Sequence, residues 1–373
     1  MRRLSLISLT LGCFMSVASG CGEEDPSDKD DSEANDDSLP GDSVPGDSDS
    51  IDADGDGVPA GQDCDDNDGS LGAIAEDVDC DGATKDADCD DGDPGVGAPD
   101  VDDADCDGQP THAGGGEMIR LPATTFDMGC TEGQLHCSGD DAPVMPVTLT
   151  HDYYLGQTEV TQGEYKEVMG DYAPDFPLYP SSFADCGTNC PTESVNWHIA
   201  AHYTNALSAK AGLSACYTCG ETGNEVVCLV AEDPYLCEGY RLPTEAEWEA
   251  AARCGEDLPF AGSESLDEVG WYSSNSGSKT HPVAQKPANG CGLYDMTGNV
   301  WEWTQDRYSG NYYTLDGRTD PAGPETGSTH VYRGGCWDVA AQASGVSGRG
   351  NAAPSFAHHS IGFRVARTVP SEN

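Results

Sequence analysis

Hydrophobic and polar positions divide the 373-residue chain into unlike stretches. Leu4 to Val17 is a mostly apolar run, too short to span a bilayer comfortably. Residues 21–50 carry almost nothing apolar, so no buried core offsets chain entropy and the stretch reads as a tether. In residues 51–110 Asp and Gly recur around four cysteines. Past the Gly114-Gly115-Gly116 joint, Trp, Tyr, Leu and Val reach ordinary density, and all six tryptophans lie there, which predicts one globular domain over 115–368. Within it, Glu117 to Met128 reads as an opening strand pair, and the stretch from Trp197 to Ala211 reads as a helix. Thr244 to Glu247 is a capping box, and Trp248, Ala251 and Ala252 give the helix behind it an inward face. Capping, rather than catalysis, is therefore the expected work of Glu245 and Glu247. Gly298 and Asn299 suit a tight turn, while Trp301 and Trp303 flank Glu302 in a strand-like alternation with both indoles on one side.

Charge and cysteine content narrow the setting. There are 67 Asp and Glu against 17 Lys and Arg, a formal net charge of −50. Such a surface repels nucleic acid and anionic lipid head groups and attracts divalent cations. Seventeen cysteines point to an oxidising compartment. Arg2 and Arg3 ahead of the apolar run complete a signal peptide over residues 1–20. Ala18, Ser19 and Gly20 before Cys21 resemble a bacterial lipobox, which makes Cys21 the lipidated residue of an exported protein held in the cell envelope. Gly22 rather than Asp after it favours the outer membrane or cell surface, with the membrane engaged through the lipid alone.

In residues 51–110, Asp52, Asp54 and Asp56 with Gly57 are spaced like the first half of a calcium loop, and Asp63 and Asp65 follow around Cys64. The theme returns around Cys80, Cys89 and Cys106, an internal repeat similar to thrombospondin type-3 and MopE-like metal-binding motifs. Twenty-one acidic residues and one Lys in this stretch imply a calcium-binding stalk.

The domain carries ordered motifs: Gln157-Thr158-Glu159-Val160-Thr161, the RLPTEAEWE run from Arg241, the GLYDMTGNVWEW run from Gly292, RGGCW from Arg333 and GFR from Gly362. Together they resemble the formylglycine-generating enzyme (sulfatase-modifying factor) family, whose fold is also used by PvdO-type and EgtB-type proteins. The resemblance implies an α+β, loop-rich fold, a distant variant of the C-type lectin fold. It also implies a structural Ca²⁺ held by Asp295, the main-chain oxygens of Gly298 and Val300, and Glu302, with a second family site near Val269–Ser276.

The family's oxidation of a substrate cysteine to formylglycine uses two cysteines shortly after RGG that hold copper. Here those positions are Val339 and Ser344, and copper, which wants two soft thiolates, is not expected. Cys336 replaces the family's serine, three residues early. A divergent active site would fall on Cys336, Trp337 and Arg349. His198 and His202, four apart on the predicted helix, and His358-His359 read as packing or surface residues. Cys130 and Cys137 bracket a short loop, as do Cys186 and Cys190. Cys216, Cys219, Cys228 and Cys237 suggest nested bridges, Cys216–Cys237 and Cys219–Cys228, with a zinc site as the rival reading. A Cys254–Cys291 pair would leave Cys336 odd. Two functions follow from different classes: a calcium-stabilised module that binds a peptide, protein or glycan, or an oxidase of the family with an altered site.

Overall fold

The structure, a computed structural model, describes residues 112–134, 137, 139–172, 181–222, 225–230 and 233–369. Cys21 and the repeat ligands Asp52, Asp54, Asp56, Asp63 and Asp65 lie outside the described residues. The domain is α+β and loop-rich, as the sequence predicts.

Four strands open it: β1 (Met118–Leu121), β2 (Thr124–Met128), β3 (Met145–Leu149) and β4 (Tyr153–Gly156). The two strands expected at the opening are present, but each pairs elsewhere rather than with the other. β1 runs antiparallel to β4 and β2 antiparallel to β3. Pro122 between them has no N–H to continue a ladder, and the Ala123 N–H donates to Asp152 Oδ1 at 2.8 Å, so the chain leaves one sheet and enters another.

Helices α1 (Gln162–Tyr172) and α2 (Trp197–Lys210) follow. Asn196 caps α2, its side chain accepting from the Ile199 N–H. Next come the hairpin β5 (Tyr217–Thr222) and β6 (Glu225–Val230), then α3 (Glu245–Arg253) and a short α4 (Leu266–Val269). A long irregular stretch leads to β7 (Trp301–Arg307), β8 (Arg318–Thr319), β9 (His330–Arg333), β10 (Arg349–Ala352), β11 (Ile361–Gly362) and β12 (Ala366–Thr368). One sheet has the order β10-β9-β7-β11, another β2-β3-β8, and β12 returns to pair with β4, so β4 is flanked by the first and last strands of the domain.

Trp197, Tyr203, Trp303 and Phe363 anchor one buried cluster, and Trp248, Met128, Leu155 and Met296 another. In β7 both indoles meet Tyr332, Trp301 at 5.0 Å and Trp303 at 5.5 Å between ring centres, which places them on one side as the alternation predicts. The capping box on α3 is formed: the Thr244 side chain accepts from the Glu247 N–H, and the Glu247 carboxylate accepts from the Thr244 N–H.

The glutamates of α3 do more than cap. All three are buried and each meets arginine: Glu245 with Arg349, Glu247 with Arg241, Glu249 with Arg253 and Arg333. The Arg241 charge holds the buried Glu247 carboxyl down at about 2 against the opposing effect of burial. Buried pairs of this kind are weak evidence of net stability but cost about 3–5 kcal/mol to break from one side.

Among the described residues five disulfides lock the loops: Cys130–Cys137, Cys186–Cys190, Cys216–Cys237, Cys219–Cys228 and Cys254–Cys291. Cys219 and Cys228 stand opposite each other in the β5–β6 register, so pairing of the hairpin brings the two sulfurs together. The zinc alternative therefore gives way to disulfides. His202 lies with both sulfurs, but they are bonded to each other and offer no thiolate.

Candidate functional site

The loop before β7 builds an acidic cradle. Asp295 and Asn299 are non-glycine residues in the left-handed region, with φ of 55° for both, and Gly298 between them has φ 95°. A Cβ on Gly298 would sit 2.5 Å from the Trp271 carbonyl oxygen, so only glycine lets the turn close against that strand of chain. One Asp295 oxygen, Oδ2, accepts from the Ala284 N–H at 2.8 Å. The other, Oδ1, is buried and has no hydrogen-bond partner. Glu159, just after β4, faces the same turn: Oε1 accepts from the Val300 N–H at 3.0 Å and Oε2 from Asn299 Nδ2 at 2.7 Å.

Burial pushes the Asp295 carboxyl up to about 6. Burial also pushes Glu159 well above the usual carboxylate range, and the negative charges of Asp295 and Glu302 add to it. Two adjacent buried carboxylates, one with an orphaned oxygen, leave polar capacity that the protein's own donors do not fill. Oxygen donors of this kind fit a hard divalent cation. Glu302 is differently employed. Its carboxylate receives Arg364 Nε and Nη2, each at 2.6 Å, and Trp248 Nε1 at 2.7 Å. Glu159 is a further carboxylate beside Asp295 and Glu302, and its motif alone assigns it no site. The signal was present: an acid between Thr158 and Val160 in a stretch that packs inward.

The second feature is the turn after β9. Gly334 and Gly335 both have positive φ, and a Cβ on Gly335 would meet Ser344 Oγ at 2.1 Å, so the 344 loop lies directly on the glycine. Cys336 is buried and is the free cysteine among the described residues. Its Sγ donates to Asp338 Oδ1 at 2.9 Å. Burial, then the neighbouring Asp338 carboxylate, pushes the thiol far up, away from thiolate. Trp337 is held on three sides: its N–H donates to the Asn299 carbonyl, its carbonyl accepts from Ser276 Oγ, and Nε1 donates to the His359 carbonyl. Arg349 is engaged by Glu245 through Nε and Nη2 and by the Asp140 and Ser309 carbonyls through Nη1, between Tyr308 and Tyr313. Every arm of that guanidinium has a structural partner.

The profile of the sulfatase-modifying factor enzyme 1-like domain matches residues 104–369. The chain belongs to this family. Among its relatives, the chaperone protein LppX of Paenibacillus barcinonensis is 33% identical over 250 residues, 60% of this chain and 82% of that protein. The formylglycine-generating enzyme of Streptomyces coelicolor is 29% identical over 283 residues, 67% of this chain and 88% of the enzyme. The solved structure of Treponema denticola variable protein 1 superposes with a TM-score of 0.56 at 34% identity, over 68% of this chain and 95% of that one.

Within this sulfatase-modifying-factor-like domain, the residues predicted from sequence fall into separate places. Asp295, Gly298 and Val300 share the cradle with Glu159, and Glu302, next to them, also pairs with Arg364. Cys336 and Trp337 sit together on the turn after β9; Arg349 is one strand away, opposite Arg333 in the ladder. Val339 and Ser344 supply no sulfur, and Ser344 is buried beneath Gly335. The residues at these positions do not fit a two-thiolate copper site. His198 takes part in packing, its Nδ1 accepting from the Cys228 N–H at 3.2 Å.

Proposed function

We propose that this chain is an exported, lipid-anchored cell-envelope protein whose sulfatase-modifying-factor-like domain serves as a calcium-stabilised binding module for a peptide, protein or glycan, displayed on an acidic calcium-binding stalk. The observation that carries the reading is the residue chemistry after Gly335: Val339 and Ser344 where two thiolates are needed, and a lone Cys336 whose thiol is buried and held protonated. Asp295 and Glu159 are side chains that would hold Ca²⁺, which would supply positive charge to two buried, neighbouring carboxylates. The Paenibacillus relative is named as a chaperone protein, which supports engagement of another protein rather than turnover.

The competing reading is formylglycine formation, favoured by similarity to the Streptomyces enzyme over most of its length. A turnover assay separates the two. The full chain is supplied with Cu(I), oxygen, a reductant and a cysteine-x-proline-x-arginine peptide, and mass spectrometry follows conversion of thiol to aldehyde. No conversion is expected, with thermal stabilisation by Ca²⁺ in the same preparation. Conversion that disappears in Cys336→Ala would overturn the binding-module reading.

A further inference from the structure

Where the domain begins, the chain forms a packed turn rather than the flexible joint its three glycines suggest. The His112 N–H donates to the Gly116 carbonyl and the Gly115 N–H to the His112 carbonyl, each at 2.8 Å, and Gly115 has a φ of 90°. A Cβ on Gly114 would sit 2.9 Å from Val168 of α1. One on Gly116 would sit 2.1 Å from Glu164 Oε1 and 2.3 Å from His112 Nε2, so glycine is needed for the chain to lie this close to the helix. The side chain folded under the turn is His112, 4% exposed, with its ring edge-on to Tyr240 at 6.1 Å between centres. We propose that His112 is an acid-sensitive latch: its neutral ring fastens residues 112–116 to α1, and protonation of the ring releases them.

The hydrogen bonds fix the charge state of the closed turn. His112 Nδ1 accepts from the Gly114 N–H at 3.0 Å. A backbone N–H can only donate, so Nδ1 carries a lone pair and the proton sits on Nε2. Nε2 faces Glu164 Oε1 at 3.6 Å, beyond hydrogen-bond length. Glu164 is committed to the start of α1 by a capping box: its Oε2 accepts from the Thr161 N–H at 2.6 Å, and its own N–H donates to Thr161 Oγ1 at 3.2 Å. A second proton on the ring turns the Nδ1 acceptor into a donor that faces a donor. It also places a charge in a buried site with one loosely placed counter-charge.

Burial lowers the His112 value from its ordinary 6.5; the Glu164 carboxylate opposes this, and the Lys210 ammonium at the end of α2 adds to it. Lys210 is itself paired with Glu167 at 2.7 Å. Burial pushes Tyr165 on α1 and Tyr203 on α2 upward, so both stay uncharged, and Arg367 lies over the Tyr240 ring, 5.8 Å from its centre. A lowered folded value means that the closed turn is favoured above about 6.5 and loses ground as pH falls below it. One proton per opening changes the open-to-closed ratio by about tenfold for each pH unit in that window. Opening stops at Glu117, whose carbonyl accepts from the Gln157 N–H at 2.9 Å just ahead of the β1–β4 pairing. The turn also walls a cleft of about 620 Å³ with Thr158, Thr161 and Pro282, so its release changes that surface together with the point where the preceding chain enters the domain.

Hydrogen exchange read by mass spectrometry tests the latch. The full chain is kept non-reduced and in excess Ca²⁺, so that the Asp295 carboxylate does not titrate alongside His112, and exchange is corrected for its intrinsic dependence on pH. Between pH 7.5 and 5.5 the protection of residues 112–116 is expected to fall about tenfold, while α1, β1 and β4 keep theirs. His112→Gln, which cannot take up the proton, is expected to give the same protection at both pH values, whatever its level. Equal protection in wild type at the two pH values, the same tenfold loss in His112→Gln, or a loss shared by the whole domain each overturns the proposal.

Discussion

The cradle at Asp295 allows a quantitative test. Its carboxyl has a folded value of about 6 against an ordinary 3.8, a difference of about 2.2. At 1.36 kcal/mol for each tenfold step this corresponds to about 3 kcal/mol. The sign follows from linkage. The raised value means that the folded state binds the proton more tightly, so the contribution to stability is present below about 3.8 and is lost as pH rises through about 6. In chelator, the protein is therefore expected to be more stable at pH 5 than at pH 7, and Asp295→Asn, which cannot ionise, to gain up to about 3 kcal/mol over wild type at pH 7. For a domain of this size that is on the order of 6–12 °C in melting temperature. Calcium inverts the comparison: it stabilises wild type at pH 7 and does much less for the variant. The assay is thermal unfolding of the full chain, followed by near-ultraviolet circular dichroism at pH 5, 6 and 7, in chelator and in millimolar Ca²⁺. If Asp295→Asn is destabilised at pH 7 in chelator and gains as much from Ca²⁺ as wild type, the carboxylate is not uncompensated and the cradle is not a cation site.

Glu302→Gln leaves the buried Arg364 guanidinium with a neutral partner; it is expected to cost about 3–5 kcal/mol in urea unfolding, and Arg364→Lys, which keeps the charge but loses the paired geometry, is expected to cost less. Gly298→Ala places a Cβ 2.5 Å from the Trp271 carbonyl at a φ of 95°, and a loss of more than about 2 kcal/mol is expected, together with a weakened Ca²⁺ response, whereas Gly187→Ala, where a Cβ meets nothing within 4 Å, carries the φ cost alone and should be milder.

Much of the fold was legible. The opening of α3 follows from Thr244 and Glu247, which satisfy each other's backbone groups within one turn. The path of β7 follows from the Trp301–Trp303 alternation, and the turn before it from Gly298 and Asn299. The nested bridges around the β5–β6 hairpin follow from cysteine spacing. The candidate site was legible only in part. Asp295 stood in a recognisable loop, but Glu159 lies 136 positions earlier by residue number and carries no local mark of its partner. Glu302, expected beside Asp295, also pairs with the buried Arg364, a partner more than sixty positions away that the local sequence does not mark.

The division has a physical cause. Capping, tight turns and side-chain alternation depend on groups within a few residues of each other, so the local order of amino acids decides them, as it decided the acidic character of the surface and the absence of two cysteines after Gly335. Pairing of β1 with β4 rather than β2, the meeting of Glu159 with Asp295 and the burial that keeps Cys336 protonated all depend on contacts closed across long loops. Chain order sets only the cost of closing such loops. Which of them close is decided when buried charges and unpaired backbone groups must find partners together, and that is a property of the tertiary structure alone.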